Sequence, residues 1–151
     1  MRVMVRGRGM TKGAIAAEAW RSLLDLSMSQ RARFFAILSE FGLTLGDFRA
    51  LARLEPDAPQ PMGALAHAWE CDASNVTWMV DQLEERGLVE RRTFTSDRRV
   101  KTVALTALGE KTKAELLRRF YAPPDDLVAL PYGQLVVLRD ALATLPTPSP
   151  P

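Results

Sequence analysis

The sequence has little of what metal sites and most enzymes are built from. Among 151 residues there is one cysteine, Cys71, and one histidine, His67. A single cysteine excludes a disulfide within the chain, and one histidine with one cysteine is too few for an ordinary zinc site. Glycine-rich phosphate loops and distinctive carboxylate pairs are also missing. The sequence therefore argues against an enzyme and predicts no metal and no cofactor.

Long apolar runs are missing as well. Because no stretch of 18 apolar residues is present, the sequence predicts no membrane-spanning helix. The first residues lack the apolar segment of a signal peptide, so we expect the protein to work in the cytoplasm. The formal net charge is only +2, and Arg2, Arg6 and Arg8 supply +3, which leaves about −1 for the rest. A nucleic-acid partner must therefore be argued from local charge clusters.

The segment from Asp72 to Gly87 predicts an amphipathic helix, with Asp72 as its N-cap and Gly87 at its C-terminal end. Val76, Val80 and Leu83 recur at i, i+4 and i+7 and predict a buried stripe. The opposite face carries Ser74, Asn75, Thr77, Trp78, Gln82 and Glu85. Short hydrogen-bonding side chains near the N-terminal end of a helix are suited to reading base edges in the DNA major groove.

The preceding residues predict a second, shorter helix that begins at Met62. Its Leu65 and Trp69 lie on one face, and the link around Cys71 is very short. Two short helices joined so tightly cross at a steep angle, which is the helix-turn-helix arrangement.

The following residues predict a basic β-hairpin, with strands at about 88–93 and 99–105. Between Arg86 and Lys101 there are six basic and two acidic residues, a local charge of +4. A basic hairpin directly after a helix-turn-helix is a wing.

Helical patterns flank this segment on both sides. Residues 13–41 read as one long helix that ends at Gly42, and Thr44 with Asp47 predicts a shorter capping box for the next helix. The buried stripe of that helix is predicted at Phe48, Leu51, Ala52 and Leu54, and the proline-rich residues 55–61 are expected to be a stiff loop.

After the wing, Thr106 is expected to cap a further helix. The last helix carries Leu135, Leu138, Leu142 and Leu145 at coiled-coil-like spacing. We expect this seam to form a dimer contact, and the alternative is that it packs on its own chain.

Together these features resemble the winged helix-turn-helix of the MarR family of bacterial transcription regulators. The resemblance rests on Leu65-Ala66, CDASNVT from Cys71, LEERGLVERR from Leu83, DRR from Asp97 and ALT from Ala104. It covers residues 13–145, as a single domain. It implies a mainly α fold with a small β-hairpin wing, in which dimerisation helices at 13–41 and 107–145 flank a winged helix-turn-helix at 44–106. Residues 1–12 are expected to be a flexible basic extension, and residues 146–151 a disordered proline-rich tail.

The resemblance implies a sequence-specific regulator, in the simplest case a homodimeric repressor that binds a palindromic operator in double-stranded DNA and is released by a small effector. Two recognition helices would enter major grooves about 34 to 36 Å apart on one DNA face. Candidate contacts to base edges and nearby phosphates are Ser74, Asn75, Thr77 and Gln82. Trp78, where the family often has a small or basic residue, either contacts sugars or a thymine methyl or packs beneath the wing.

Basic residues supply the remaining candidate contacts. Arg86, Arg91, Arg92 and Arg98 are expected to contact phosphates, which sets affinity without specifying sequence. By resemblance, Arg99 enters the minor groove and Asp97 holds its guanidinium in place.

Arg99 therefore carries a prediction of its own. Arg99→Ala is expected to cost ~1 to 3 kcal/mol of operator binding, in the range of a specific contact. The measurement is a titration of labelled operator, and unchanged affinity would remove the role assigned to Arg99.

Other functions stay open at this point. A winged helix can be a protein-interaction module without DNA binding, which an acidic or apolar wing would have favoured. Cys71 could sense oxidants, or it could simply be a small residue that fills a tight turn, and no basic residue that would activate its thiol lies close in sequence. By resemblance, a small aromatic or phenolic effector binds between the dimer helices and the winged unit. Trp20, Phe34, Phe35 and Phe48 could line such a cleft or belong to the core, so no ligand residues are assigned.

Overall fold

The computed structural model describes residues 10–69, 71–93 and 101–146. In chain order its elements are α1 (Lys12–Ser29), α2 (Arg31–Glu40), α3 (Leu45–Arg53), β1 (Gln60–Pro61), α4 (Met62–Ala68), α5 (Ala73–Glu85), β2 (Val89–Thr93), β3 (Lys101–Leu105), α6 (Ala107–Phe120), α7 (Asp125–Val128) and α8 (Tyr132–Ala143). This mainly helical architecture with one small antiparallel sheet confirms the predicted fold class. Every helix in the described ranges is too short or too polar to cross a membrane.

The chain divides into two compact units, the first of which ends at Phe35. The expectation of one uninterrupted helix over residues 13–41 is wrong, because α1 ends at Ser29 and α2 begins at Arg31. The Ser29 hydroxyl donates a hydrogen bond to the Leu26 carbonyl at 2.7 Å. The Gln30 amide donates a hydrogen bond to the Ser27 carbonyl, three residues back, at 3.3 Å. A serine that bonds to nearby backbone competes with the regular helical ladder, which explains a break without glycine or proline.

The second unit begins at Ala36, and its α3 starts as the sequence predicts. Gly42 has a positive φ of 62°, which ends α2 in the left-handed conformation that favours glycine. The Asp47 amide donates to the Thr44 hydroxyl at 3.1 Å, and the Thr44 amide donates to the Asp47 carboxylate at 2.8 Å. The capping box is confirmed. Of the predicted stripe, Leu51 and Leu54 are buried, whereas Phe48 and Ala52 are only half-buried.

The loop after α3 contains a strand that the sequence did not predict. Gln60 pairs with Val103 and Pro61 with Thr102, so β1 adds to the hairpin and the sheet order is β1-β3-β2. Because proline has no N–H to donate, Pro61 is suited to an edge strand. The hairpin itself forms as predicted, with Val89 opposite Leu105 and Thr93 opposite Lys101.

The core of this unit lies between α3, α4, α5, α6 and the sheet. Its largest fully buried side chains are Leu38, Leu51, Leu54, Leu65, Leu83, Leu116, Val76, Val80, Val89 and Val103. The predicted stripe of α5 is confirmed, since Val76, Val80 and Leu83 are each at most 1% exposed. Burial of this stripe fixes the rotation of α5 about its axis and therefore determines which side chains face outward.

The C-terminal helices differ in how much they bury. Thr106 caps α6 as predicted and accepts a hydrogen bond from the Gly109 amide at 3.0 Å. In contrast, no residue of α8 is buried. Leu135 and Leu138 are half-buried, and Leu142 and Leu145 are 38% and 55% exposed. The described part of the chain therefore does not cover the leucine seam.

Candidate nucleic-acid interface

The turn between α4 and α5 positions the candidate recognition helix. Leu65 and Trp69 are buried, as the sequence predicts, and anchor α4 in the core. The Trp69 amide donates to the Leu65 carbonyl at 2.7 Å, and the Cys71 amide donates to the Ala66 carbonyl at 3.1 Å. These two bonds end α4 within one turn of the start of α5. Cys71 itself is half-buried in this tight link.

Asp72 has the backbone conformation of an N-cap, with φ −70° and ψ 152°. Its carbonyl accepts from the Val76 amide at 3.0 Å. The side chain, however, makes no capping hydrogen bond in the described structure. Asp72 therefore starts α5 as predicted without the side-chain bond that stabilises most caps of this type.

The outward face of α5 carries five of the candidate DNA-contact residues. Ser74, Asn75, Thr77 and Trp78 are exposed, and Gln82 is half-buried. The Thr77 hydroxyl donates to the Ala73 carbonyl at 3.1 Å, one turn back. Its proton is therefore engaged within the helix, and Thr77 presents mainly an acceptor lone pair and a methyl group. Ser74 and Asn75 lie closest to the exposed N-terminal end.

Arg91, at the centre of β2, is held against α5 by two carboxylates. Its guanidinium is bonded to Asp81 at 2.5 Å and also to Glu84, and its backbone amide donates to Glu84 at 3.0 Å. Desolvation lowers the pKa of Arg91, but the hydrogen bonds with Asp81 and Glu84 outweigh it and leave that pKa above its ordinary value. The charge is thus shared with two acidic residues, and the pairing fixes the base of the wing to the recognition helix.

Arg86 also has partners within the chain. Its guanidinium donates to the Gly42 carbonyl and lies 3.9 Å from the Asp47 carboxylate. Since Asp47 belongs to the capping box of α3, Arg86 connects the end of α5 to the start of α3. Its side chain is 38% exposed, so Arg86 remains partly accessible to solvent.

Arg92 is the more accessible of the two neighbouring arginines on β2. It pairs with Glu90 at 2.5 Å, and both side chains are about half exposed. An exposed pair of this kind contributes at most about 1 kcal/mol. Arg92 can therefore exchange its partner for a phosphate at small cost.

Three predicted contact residues, Asp97, Arg98 and Arg99, lie outside the described residues. The structure does describe two acidic residues that the sequence did not single out. Asp81 and Glu84 were part of an ordinary helix surface in the sequence, and only the approach of β2 to α5 reveals them as partners of Arg91.

The different surroundings of Arg91 and Arg92 lead to a prediction about stability. In a double-mutant cycle, Arg91→Gln and Asp81→Asn are expected to couple by about 0.5 to 1 kcal/mol in the free energy of unfolding, because each removes the same partly exposed ion pair. Urea denaturation measures both single variants and the double variant. Arg92→Gln is the matched control and is expected to leave stability nearly unchanged. Coupling indistinguishable from zero would show that the pair with Asp81 does not help Arg91 to fix the wing to α5.

Comparisons with known proteins agree with this arrangement. The family model of the MarR family matches residues 43–101, which span α3 to the start of β3. The YusO protein from Bacillus subtilis superposes with a TM-score of 0.76 at 24% identity, over 89% of this chain and 96% of that one. A MarR family protein from Bacillus stearothermophilus gives 0.70 at 24% identity, over 89% and 94%. The S. aureus MepR–DNA complex gives 0.60 at 21% identity, over 85% and 99%. The structural likenesses show a shared fold.

Proposed function

Because the MarR family model matches residues 43–101, we propose that this chain is a MarR-family transcription regulator: a homodimeric, sequence-specific DNA-binding protein of the bacterial cytoplasm. In its simplest form it is a repressor that binds a palindromic operator and is released by a small effector. The family is one of regulators rather than enzymes.

The observation that carries this proposal is the outward face of α5. Its apolar stripe is buried, so Ser74, Asn75 and Thr77 are presented together near the N-terminal end of an exposed helix. That is the part of a helix that meets base edges when the helix lies in a major groove. A MepR protein of the same fold has been solved in complex with DNA.

Basic residues beside this helix supply the phosphate contacts in the proposal. Arg92 lies on β2 with an exposed, exchangeable partner, and the Arg86 side chain is partly exposed. Arg98, and Arg99 with its partner Asp97, remain candidates at the wing. Arg91, which already binds two carboxylates, positions the wing, and any phosphate contact it makes is secondary.

Dimerisation is supported by the apolar surface that the described chain leaves uncovered. No residue of α1 and none of α8 is buried. On α1, Trp20 is 61% and Ile15 55% exposed. A partner chain would cover these helices and place two recognition helices about 34 to 36 Å apart, which matches one turn of DNA. The helices at 13–41 and 107–145 are therefore proposed as dimerisation elements.

The proposed effector is a small aromatic or phenolic molecule. Support comes from a ring cluster in the second unit, in which Phe48 and Phe120 lie 5.2 Å apart and Phe120 and Tyr121 5.1 Å apart. Phe120 and Tyr121 are 39% and 69% exposed, so part of this cluster is accessible to a planar ligand. The effector proposal is tested by a screen of aromatic acids and phenols. The screen looks for compounds that release the protein from its operator.

Selection from a library of random duplexes tests the DNA-binding part without knowledge of the regulated genes. We expect enrichment of an inverted repeat whose half-site centres lie 10 to 10.5 bp apart, or a multiple of that distance. Insertion of the enriched duplex at a reporter promoter then distinguishes repression from activation. Failure to enrich any sequence, with folded protein, would contradict the proposal and favour a protein-interaction role for the wing.

A further inference from the structure

Trp78 lies at the centre of the outward face of α5. At 3.6 residues per turn it lies on the side opposite Val76 and Val80, with Ser74 one turn before it and Gln82 one turn after it. Its side chain is 58% exposed. A single exposed apolar residue is common on protein surfaces, but this one occupies the middle of the surface that would face DNA.

The acidic residues nearest Trp78 are partly neutralised by Arg91. Asp81, three residues on, would otherwise present a carboxylate beside the indole. Its pairing with Arg91 at 2.5 Å offsets part of that charge, which Arg91 also shares with Glu84. Glu85 lies two turns from Trp78 toward the C-terminal end, away from the end of α5 that meets the bases. The ion pair that holds the wing therefore also limits repulsion between DNA and the surface around Trp78.

The chemistry of the major groove restricts what an indole can contact there. Base faces are stacked on one another, and the base edges present hydrogen-bonding groups with one apolar exception, the C5-methyl group of thymine. The indole N–H is a donor only. Thymine offers an O4 acceptor next to its methyl group, whereas cytosine offers an amino donor at the corresponding position.

We propose that Trp78 is a specificity-determining residue that selects thymine within each half-site through contact with the C5-methyl group. This inference rests on the proposed function. It goes further by assigning to Trp78 a base and the atom group on that base.

Uracil substitution tests the assignment, because it removes only the methyl group. In the selected duplex, each thymine is replaced in turn by uracil, and affinity is measured by fluorescence anisotropy at fixed salt. For the unmodified protein, one position per half-site is expected to weaken binding about fourfold, the effect of burying one methyl group. Trp78→Ala is expected to bind more weakly and to lose this sensitivity. Trp78→Phe, which keeps an apolar ring, is expected to retain it.

Other outcomes overturn the assignment in distinguishable ways. Uracil substitution could leave the affinity unchanged at every position, or it could weaken binding equally for Trp78→Ala and the unmodified protein. Either result would show that Trp78 does not read the methyl group, while DNA binding itself stands. A uniform loss in Trp78→Ala on all duplexes, together with no uracil effect, would indicate contact with the sugar-phosphate backbone. If no duplex is enriched, the proposed function fails and this assignment fails with it.

Discussion

Gly109→Ala is expected to lower the free energy of unfolding by about 3 kcal/mol, a larger loss than most single substitutions cause. A Cβ at this position would fall well inside contact distance of the Leu88 carbonyl oxygen, 2.9 Å from the Leu88 carbonyl carbon and 3.2 Å from Leu105. The Leu88 carbonyl cannot easily retreat, because it accepts a hydrogen bond from the Thr106 amide at 3.1 Å. The expected loss combines overpacking of roughly 1 to 3 kcal/mol with damage to a hydrogen bond of about 1 kcal/mol.

Urea denaturation at one fixed protein concentration measures this effect. Gly63→Ala is the matched control, because Gly63 lies in α4 with no neighbouring atom within 4 Å of an added Cβ. That control is expected to change stability by about 1 kcal/mol or less, in the stabilising direction. Equal unfolding midpoints for the two variants would contradict the close approach of α6 to the start of β2.

Leu138→Glu is expected to dissociate the proposed dimer and to reduce operator affinity at least about 100-fold, since linking two binding modules raises affinity by factors of about 10² to 10⁴. Leu138 is the second of four leucines in the seam of α8, and the described chain leaves that seam partly exposed. A carboxylate in the middle of such a contact would be buried without a partner. Light scattering measures the mass in solution, and anisotropy measures the affinity.

Gly133→Glu is the control for charge in this experiment. It adds the same carboxylate to the opposite side of α8, where an added Cβ meets no atom within 4 Å. We expect it to remain dimeric and to keep its DNA affinity. A Leu138→Glu protein that stays dimeric and binds the operator normally would remove α8 from the proposed interface.

Much of the second unit could be predicted from the sequence because its signals are local. The stripe of Val76, Val80 and Leu83 has the helical period, and the burial of all three follows from it. The caps at Thr44 and Thr106 depend on residues three positions away. In each case, side chains close in sequence determine the structure.

The features that were missed depend on residues far apart in sequence or on weak local signals. β1 has only two residues in a segment with three prolines, and its partners lie more than 40 positions later. The break at Gln30 has neither glycine nor proline to signal it. Arg91 was counted as one of several free basic residues, and only the approach of β2 to α5 brings Asp81 and Glu84 to it.

The same limit applies to the candidate site. The exposure of Ser74, Asn75, Thr77 and Trp78 follows from the helical period, so the α5 face was predictable. The availability of each arginine was not, because it depends on which carboxylate the fold places beside it. A local charge of +4 therefore overstates the number of side chains that are free to contact DNA.

The central claim is sequence-specific DNA binding, and anisotropy across a salt series tests it most directly. The enriched duplex and a shuffled duplex of the same composition are titrated with the protein from low to physiological salt. We expect the enriched duplex to bind at least about 10³-fold more tightly at physiological salt. The logarithm of the binding constant should fall by about 0.9 per logarithm of salt for each phosphate neutralised. Equal affinity for the two duplexes across the salt series would contradict the claim.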